Sequence, residues 1–241
     1  MLGDRKLNLQ MKEISLYIQD KITANGNQVK AKWLENYIKH DIKSKGTGIP
    51  DIRKIVIEAN DKYKIIEKPL SDQIKLITDL MMQEYTEDKL SAILYLQLFW
   101  HEKHEKQKID LISKWFDESL ITDWNVCDWL CVRILTPMIN NSPEITISEL
   151  KKWNKNKNLW KARASLVPFA QCKTIGHYKD AIEFLSVELI KREERFCKTA
   201  VGWVLREYSK IDRDFVEKFL SYHKKWTTNE VIRNAKKHIN Q

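Results

Sequence analysis

Glycine and proline are scarce in this chain. Its 241 residues include only 6 Gly and 5 Pro, and so few helix-breaking residues favour helices over strands. No alternating apolar and polar run predicts a strand, and no stretch of 18 apolar residues predicts a membrane span. Residues 1–10 lack the apolar run of a signal peptide. We therefore expect an all-helical protein of the cytoplasm with no membrane partner.

The common signatures of cofactor and hydrolase sites are also missing. The chain has no P-loop, no GxGxxG and no GxSxG motif. Its 4 cysteines form no CxxC pair, and Cys127 and Cys131 lie one helical turn apart on an apolar face, which indicates core residues in a reducing compartment. The segment from His101 to His104 is not a HExxH zinc motif, because position 105 is Glu. We expect neither a metal nor a cofactor.

Positive charge and tryptophan are in excess instead. The formal net charge is +9, which indicates an anionic partner such as nucleic acid or an anionic membrane surface, unless the lysines serve only solubility. The basic, Asn-rich segment 151–158 is predicted to be a linker, either lying along phosphates or simply solvated. The 9 tryptophans offer flat π faces besides core volume.

Helical periodicity extends over nearly the whole chain. The predicted helices are short and come in pairs spaced by roughly 35–45 residues, the period of HEAT-type repeats. We therefore predict one domain over residues 1–241, an all-α superhelix (solenoid) of about six HEAT-like repeats with a concave basic groove. An irregular bundle is the alternative, disfavoured because no helix looks apolar all round. Thr122-Asp123 and Thr227-Thr228 are predicted helix starts. The predicted helices are 8–23, 28–43, 50–63, 70–83, 87–100, 105–118, 123–139, 145–153, 158–170, 175–191, 193–208, 211–224 and 227–239.

Two predicted helices place polar side chains beside or within an apolar face. Trp124 and Asp128 are four residues apart and lie at the rim of such a face, where a cleft residue would lie. A half-buried Trp beside a solvated Asp is the alternative. Arg163 falls inside an apolar face, so it either pairs with a buried acid, with Asp128 as a possible partner, or reaches for an anion such as phosphate.

A third segment combines a glycine with a tryptophan. Gly202 inside a helix costs about 1 kcal/mol relative to Ala, which predicts a close approach of another backbone. Trp203 projects from the edge of the same core stripe, either into a cleft or as an ordinary core residue.

Together these segments resemble the AlkD family of DNA alkylation repair proteins, which are HEAT-like repeat alkylpurine DNA glycosylases. The resemblance covers residues 30 to 222 and implies that Asp128, Trp124 and Trp203 face the lesion as catalytic residues. It implies that Arg163 holds the DNA backbone, with Tyr37 nearby. The matching pieces are Trp124-x-x-x-Asp128, Trp160-x-x-Arg163, Gly202-Trp203-x-Leu205-Arg206-Glu207-Tyr208, Tyr37-Ile38-Lys39 and Gly48-Ile49-Pro50-x-x-Arg53.

The function implied by this resemblance is excision of cationic N3- or N7-alkylated purines from double-stranded DNA. The enzyme would hydrolyse the N-glycosidic bond as a monomer, in base-excision repair and without base flipping. Lys155, Lys157, Lys161 and Arg206 are further predicted DNA contacts. Two alternatives are a non-catalytic protein that binds damaged or branched DNA and a helical-repeat scaffold for a protein partner. The Trp124 and Asp128 pair favours catalysis, and the net charge favours DNA over a protein partner.

Overall fold

The computed structural model describes residues 2–39 and 42–239. Helices run through both of these ranges, which contain no strand and a single isolated β-bridge between Lys43 and Tyr85. The predicted all-α fold class is therefore confirmed. The chain divides into two compact units, Met1–Lys103 and His104–Gln241, and the single domain remains a prediction. Within the described ranges no helix combines the length and apolarity needed to cross a bilayer.

The first unit consists of five helices, of which the last is buried by its neighbours. They are α1 (Leu2–Ala24), α2 (Gln28–Ile38), α3 (Ile49–Tyr63), α4 (Leu70–Met81) and α5 (Thr86–Phe99). Helices α1, α3 and α4 all pack against α5. Every residue of α5 from 90 to 96 is buried. The expectation that no helix is apolar all round was therefore wrong for this stretch of α5, in which Ser91 is the one polar residue.

The loop over residues 43–46 holds the N-terminal end of α5. The Glu87 carboxylate accepts hydrogen bonds from Ser44 Oγ at 2.6 Å and from the backbone N–H groups of Lys45 and Gly46, both at 2.8 Å. Lys45 Nζ donates to both oxygens of Asp88 at 2.8 Å. Burial raises the pKa of Asp88, against the opposing effect of Lys45. Gly46 has φ +74°, and a Cβ there would lie 2.0 Å from the Asn27 carbonyl oxygen, so the loop requires glycine.

The second unit contains the remaining helices, joined by short 3₁₀ segments at 167–171 and 175–178. Helix α12 is central, because α10, α11 and α14 all pack against it. The helices are α6 (Glu105–Asp117), α7 (Trp124–Leu130), α8 (Thr136–Asn141), α9 (Pro143–Trp153), α10 (Leu159–Ala164), α11 (Lys179–Lys191), α12 (Arg195–Tyr208), α13 (Arg213–Tyr222) and α14 (Asn229–Ala235).

Several predicted helices differ from the observed ones for local reasons. The predicted helix 28–43 ends at Ile38, because Lys39 adopts a left-handed conformation with φ 56°. The predicted helix 158–170 stops at Ala164, and Pro168 lies in the 3₁₀ turn that follows. Between α7 and α8 the helix widens into a π segment, Cys131–Leu135, in which the Thr136 N–H donates to the Cys131 carbonyl five residues earlier.

Other local predictions are confirmed. The Asp123 side chain caps α7 by accepting from Val126 N–H at 3.0 Å, and Thr228 caps α14 by accepting from Val231 N–H at 3.3 Å. Gly202 does face another backbone, because a Cβ there would lie 3.3 Å from the Val231 Cα. Helices α12 and α14 can therefore pack more closely at this point than a larger residue would allow.

The four cysteines are buried and unpaired with one another, as expected of core residues. Burial raises the pKa of Cys127 well above its ordinary value and that of Cys197 to about 11. In the described part of the chain, no three His, Cys, Asp or Glu side chains are grouped so that they could hold a metal ion.

Candidate functional site

A cleft of about 290 Å³ opens on the second unit and is lined by residues from two helices and the π segment. Helix α7 provides Trp124 and Asp128, and α12 provides Trp203. All three predicted catalytic residues therefore line one cleft. The rim position that helical spacing predicted for Trp124 and Asp128 is also observed, since both are partly exposed. The full lining is Trp124, Asn125, Asp128, Trp129, Val132, Arg133 and Trp203.

The Asp128 carboxylate is held by the two-pronged guanidinium of Arg163. Arg163 Nε donates to Oδ1 and Nη2 donates to Oδ2, both at 2.8 Å. Such parallel bonds fix the plane of the carboxylate as well as its position. The Arg163 side chain is only 6% exposed, whereas that of Asp128 is 16% exposed. The cation is thus enclosed by protein, while the carboxylate remains accessible from the cleft.

The remaining nitrogen of Arg163 anchors the pair to α12. Arg163 Nη1 donates to the Phe196 carbonyl at 2.6 Å and to Thr199 Oγ1 at 3.3 Å. Burial opposes the charge of the guanidinium, but Asp128 outweighs it, so the pKa of Arg163 is raised. The sequence left two interpretations of Arg163 open, and the contacts favour the buried pair with Asp128. A direct contact with the DNA backbone remains an untested prediction that this geometry does not favour.

Sequence analysis missed four residues of the cleft, of which two, Trp129 and Arg133, contact each other. The Arg133 guanidinium lies over the Trp129 ring, 4.9 Å from its centroid. Counting residues on a regular α-helix places Arg133 away from Asp128, whereas a π turn brings residues five apart onto one face. The Trp129–Arg133 spacing of four residues was the available signal, since such a pair is adjacent on a helix.

The basic, Asn-rich segment is partly structural. Residues 151–153 belong to α9, and buried Asn154 donates to Ser165 Oγ at 2.9 Å. Asn158 caps α10 and donates to the Phe116 carbonyl at 2.7 Å. The asparagines therefore fix the connection between two helices. Lys155 and Lys157 are exposed, and their predicted role in DNA binding remains a prediction.

Two other predicted DNA contacts, Lys161 and Arg206, are hydrogen-bonded to side chains of the protein itself. Lys161 is 5% exposed, and its Nζ bonds both oxygens of Asp117 at 2.7 and 2.8 Å, because α10 is enclosed by its neighbours. This burial argues against a phosphate contact by Lys161. Arg206 is half-buried and donates to Glu207 at 2.8 Å and to Asn234 at 3.2 Å.

Tyr37 lies on α2 in the first unit. It is 57% exposed and stacks on Trp33, which is 62% exposed, with ring centroids 5.2 Å apart and nearly parallel planes. Its predicted position near a lesion remains a prediction. The pair is nonetheless an open aromatic surface on that unit.

A family model described as "DNA alkylation repair enzyme" matches residues 18–239. The chain belongs to this family. The predicted resemblance is thereby confirmed for nearly the whole sequence. No curated protein matches the chain.

Two solved structures have a similar fold. A predicted DNA alkylation repair enzyme from Enterococcus faecalis aligns with a TM-score of 0.75 and 17% identity, over 90% of this chain and 98% of that one. AlkD2 from Streptococcus mutans aligns with a TM-score of 0.59 and 17% identity, over 89% and 99%. At 17% identity, these similarities show that the chain shares the fold of both proteins.

Proposed function

We propose that this chain is a DNA glycosylase that hydrolyses the N-glycosidic bond of cationic N3- or N7-alkylated purines in duplex DNA. The observation that carries the proposal is the Asp128 carboxylate, fixed by Arg163 and open to a cleft that Trp124 and Trp203 also line. Membership of a DNA alkylation repair family supports DNA as the partner, and so does the net charge of +9.

The chemistry of an alkylated purine suits this arrangement. A purine alkylated at N3 or N7 already carries a positive charge, so it leaves without protonation by a general acid. As the bond breaks, positive charge grows on the deoxyribose, and a carboxylate held in place stabilises that charge. Asp128 can serve this purpose and can also orient or deprotonate the attacking water. Trp124 and Trp203 offer π faces to the cationic nucleotide, at about 0.5–2 kcal/mol each.

The cleft favours attack on a nucleotide that remains in the duplex. Enzymes that flip a base read its edge with a set of hydrogen-bonding groups in a closed pocket. Here the cleft is open, and its lining combines three tryptophans and Val132 with three polar or charged side chains, Asn125, Asp128 and Arg133. A carboxylate between tryptophans is better suited to a sugar than to a base edge, so we propose excision without base flipping.

Replacement of Asp128 by Asn tests the proposal. The single-turnover rate of 7-methylguanine release from duplex DNA should fall by about 100-fold or more, because a preorganised charge is lost from the transition state. The matched control is Asp110→Asn, which removes the same charge from an exposed aspartate, 55% accessible and paired with Lys106. It should leave the rate unchanged.

Thermal melting and DNA binding complete the experiment. The Asn side chain keeps one oxygen that can accept from Arg163, but the buried guanidinium loses its counter-charge, so the melting temperature should fall and the excision rate is compared per folded molecule. Asp128→Asn with the wild-type excision rate would contradict the role of Asp128. Wild-type protein that binds DNA with a steep salt dependence but yields no abasic sites would instead select the non-catalytic DNA-binding alternative.

A further inference from the structure

One positive charge in the cleft has no role in the chemistry above. Arg133 is exposed and is the only cation among the residues that line the cleft. Within the described ranges, no carboxylate lies in salt-bridge distance of its guanidinium. An arginine next to a candidate catalytic carboxylate, yet without an acidic partner, is available for an anion from outside the protein.

The buried arginine of the site is poorly placed for that purpose. All three nitrogens of Arg163 already donate to Asp128, to the Phe196 carbonyl and to Thr199. A phosphate could reach it only by displacing these acceptors inside the protein, and breaking a buried ion pair is strongly unfavourable. The DNA backbone contact that the resemblance assigned to Arg163 therefore needs another donor.

Arg133 is positioned for such a contact by its own surroundings. The Trp129 ring centroid lies 4.9 Å from the guanidinium carbon, a cation–π distance, and the Arg133 side chain is exposed to solvent. Arg133 belongs to the π segment and lines the same cleft as Asp128. A guanidinium also matches the geometry of a phosphate, to which it donates two parallel bonds.

We propose that Arg133, supported by Trp129, binds the DNA phosphate next to the nucleotide whose sugar faces Asp128. This inference rests on the proposed function for the position of the sugar. It also resolves an electrostatic conflict, because an unpaired cation beside the cleft would oppose the positive charge that develops on the sugar. Once a phosphate neutralises the guanidinium, that opposition is largely removed.

Salt-dependent binding to an undamaged duplex tests this proposal without any excision. Arg133→Ala and Arg133→Gln should each weaken binding by about three- to tenfold and reduce the slope of log K against log salt by about 0.9, as expected for the loss of one phosphate contact. Arg133→Lys should retain most of the slope. The matched control is Arg213→Ala, which removes the charge of another exposed arginine outside the cleft and should alter neither quantity.

The role of Trp129 is tested by Trp129→Leu, which keeps an apolar side chain but removes the π face. It should weaken binding in the same direction as Arg133→Ala but by less, and the double variant should bind no more weakly than Arg133→Ala alone. Additive losses would contradict the support of Arg133 by Trp129. Thermal melting separates these effects from unfolding.

Excision at subsaturating protein gives the second readout. A phosphate contact present in both the ground state and the transition state contributes to affinity, so the excision rate of Arg133→Ala at subsaturating protein should fall by the same factor as its binding. A lowered excision rate with unchanged binding would overturn the phosphate assignment, as would a salt slope equal to that of wild type. If the wild-type protein released no base at all, the proposed function would fail while the slope would still decide the role of Arg133.

Discussion

The two units of the chain each hold an acidic side chain against a basic one within a helical core. In the first unit, Asp88 and Lys45 are paired at side-chain exposures of 1% and 9%. In the second unit, Arg163 is equally enclosed at 6%, but Asp128 is 16% exposed and lines a cleft. The two ion pairs are similar but have different structural roles. The first fixes a loop against α5, and the second presents an oriented carboxylate to solvent.

The largest expected effect comes from removing Arg163, the buried partner of Asp128 in the second unit. Arg163→Ala should lower the free energy of unfolding by about 3–5 kcal/mol, because it leaves Asp128 and the Phe196 carbonyl without their partner. Excision should also fall, since the carboxylate loses both bonds that fix its plane. Chemical denaturation and single-turnover excision measure the two effects. Arg163→Lys should lose less stability, because it keeps the charge without the two-pronged geometry.

This variant also sharpens the contrast between the two pairs. If Arg163→Ala lost the expected stability but the remaining folded protein excised at the wild-type rate, Arg163 would be structural only. The pair in the second unit would then serve the same end as the pair in the first.

A smaller effect on stability is expected from a substitution in the buried Asp88–Lys45 pair of the first unit. Asp88→Asn should lower the free energy of unfolding by about 1–3 kcal/mol, the cost of weakening hydrogen bonds to a charged group. Excision per folded molecule should not change. The pKa of Asp88 is raised by burial, so its contribution to stability is greatest below its ordinary pKa of 3.8 and is lost as pH rises through the raised value.

The raised pKa of Asp88 predicts how the stability difference between wild type and Asp88→Asn changes with pH. Denaturation of wild type and Asp88→Asn at pH 4 and pH 7 should show a larger advantage of wild type at pH 4. A larger advantage at pH 7 would mean that the ionised carboxylate, rather than the protonated one, is the form that the first unit prefers.

The smallest effects are expected at the exposed lysines of the connection between α9 and α10. Lys155→Ala and Lys157→Ala should each reduce the salt slope of DNA binding by about 0.9 if they contact phosphates. The melting temperature should stay nearly constant, because both side chains are exposed. An unchanged slope for both would mean that this connection lies away from the DNA and that its charge is only solvated.

Much of the candidate site follows from residue spacing on a regular helix. The rim position of Trp124 and Asp128 and the cap at Asp123 depend only on neighbours within a turn or two. The close approach at Gly202 follows from the cost of glycine in a helix. Such features are local, so the sequence contains the information needed to predict them.

The features that sequence analysis missed depend on distant contacts or on irregular helix geometry. A π segment changes the register after Leu130, and nothing in a regular period predicts where Arg133 then lies. Lys161 looks like a surface cation, yet Asp117, which is 44 positions earlier in the chain, makes its burial possible. The contacts that favour the buried pair for Arg163 are likewise distant in the chain, since Asp128 lies 35 positions earlier.

The burial of all four cysteines protects the thiols of this DNA alkylation repair family member from alkylating agents. Alkylating agents are electrophiles that react with thiolates as well as with purines, and the thiolate rather than the thiol is the nucleophile. At a pKa of about 11 for Cys197, about one thiol in ten thousand is ionised at pH 7. The folded chain therefore buries all four thiols, and burial also raises the pKa of Cys127 and Cys197, so these two are protected from such reagents by protonation as well.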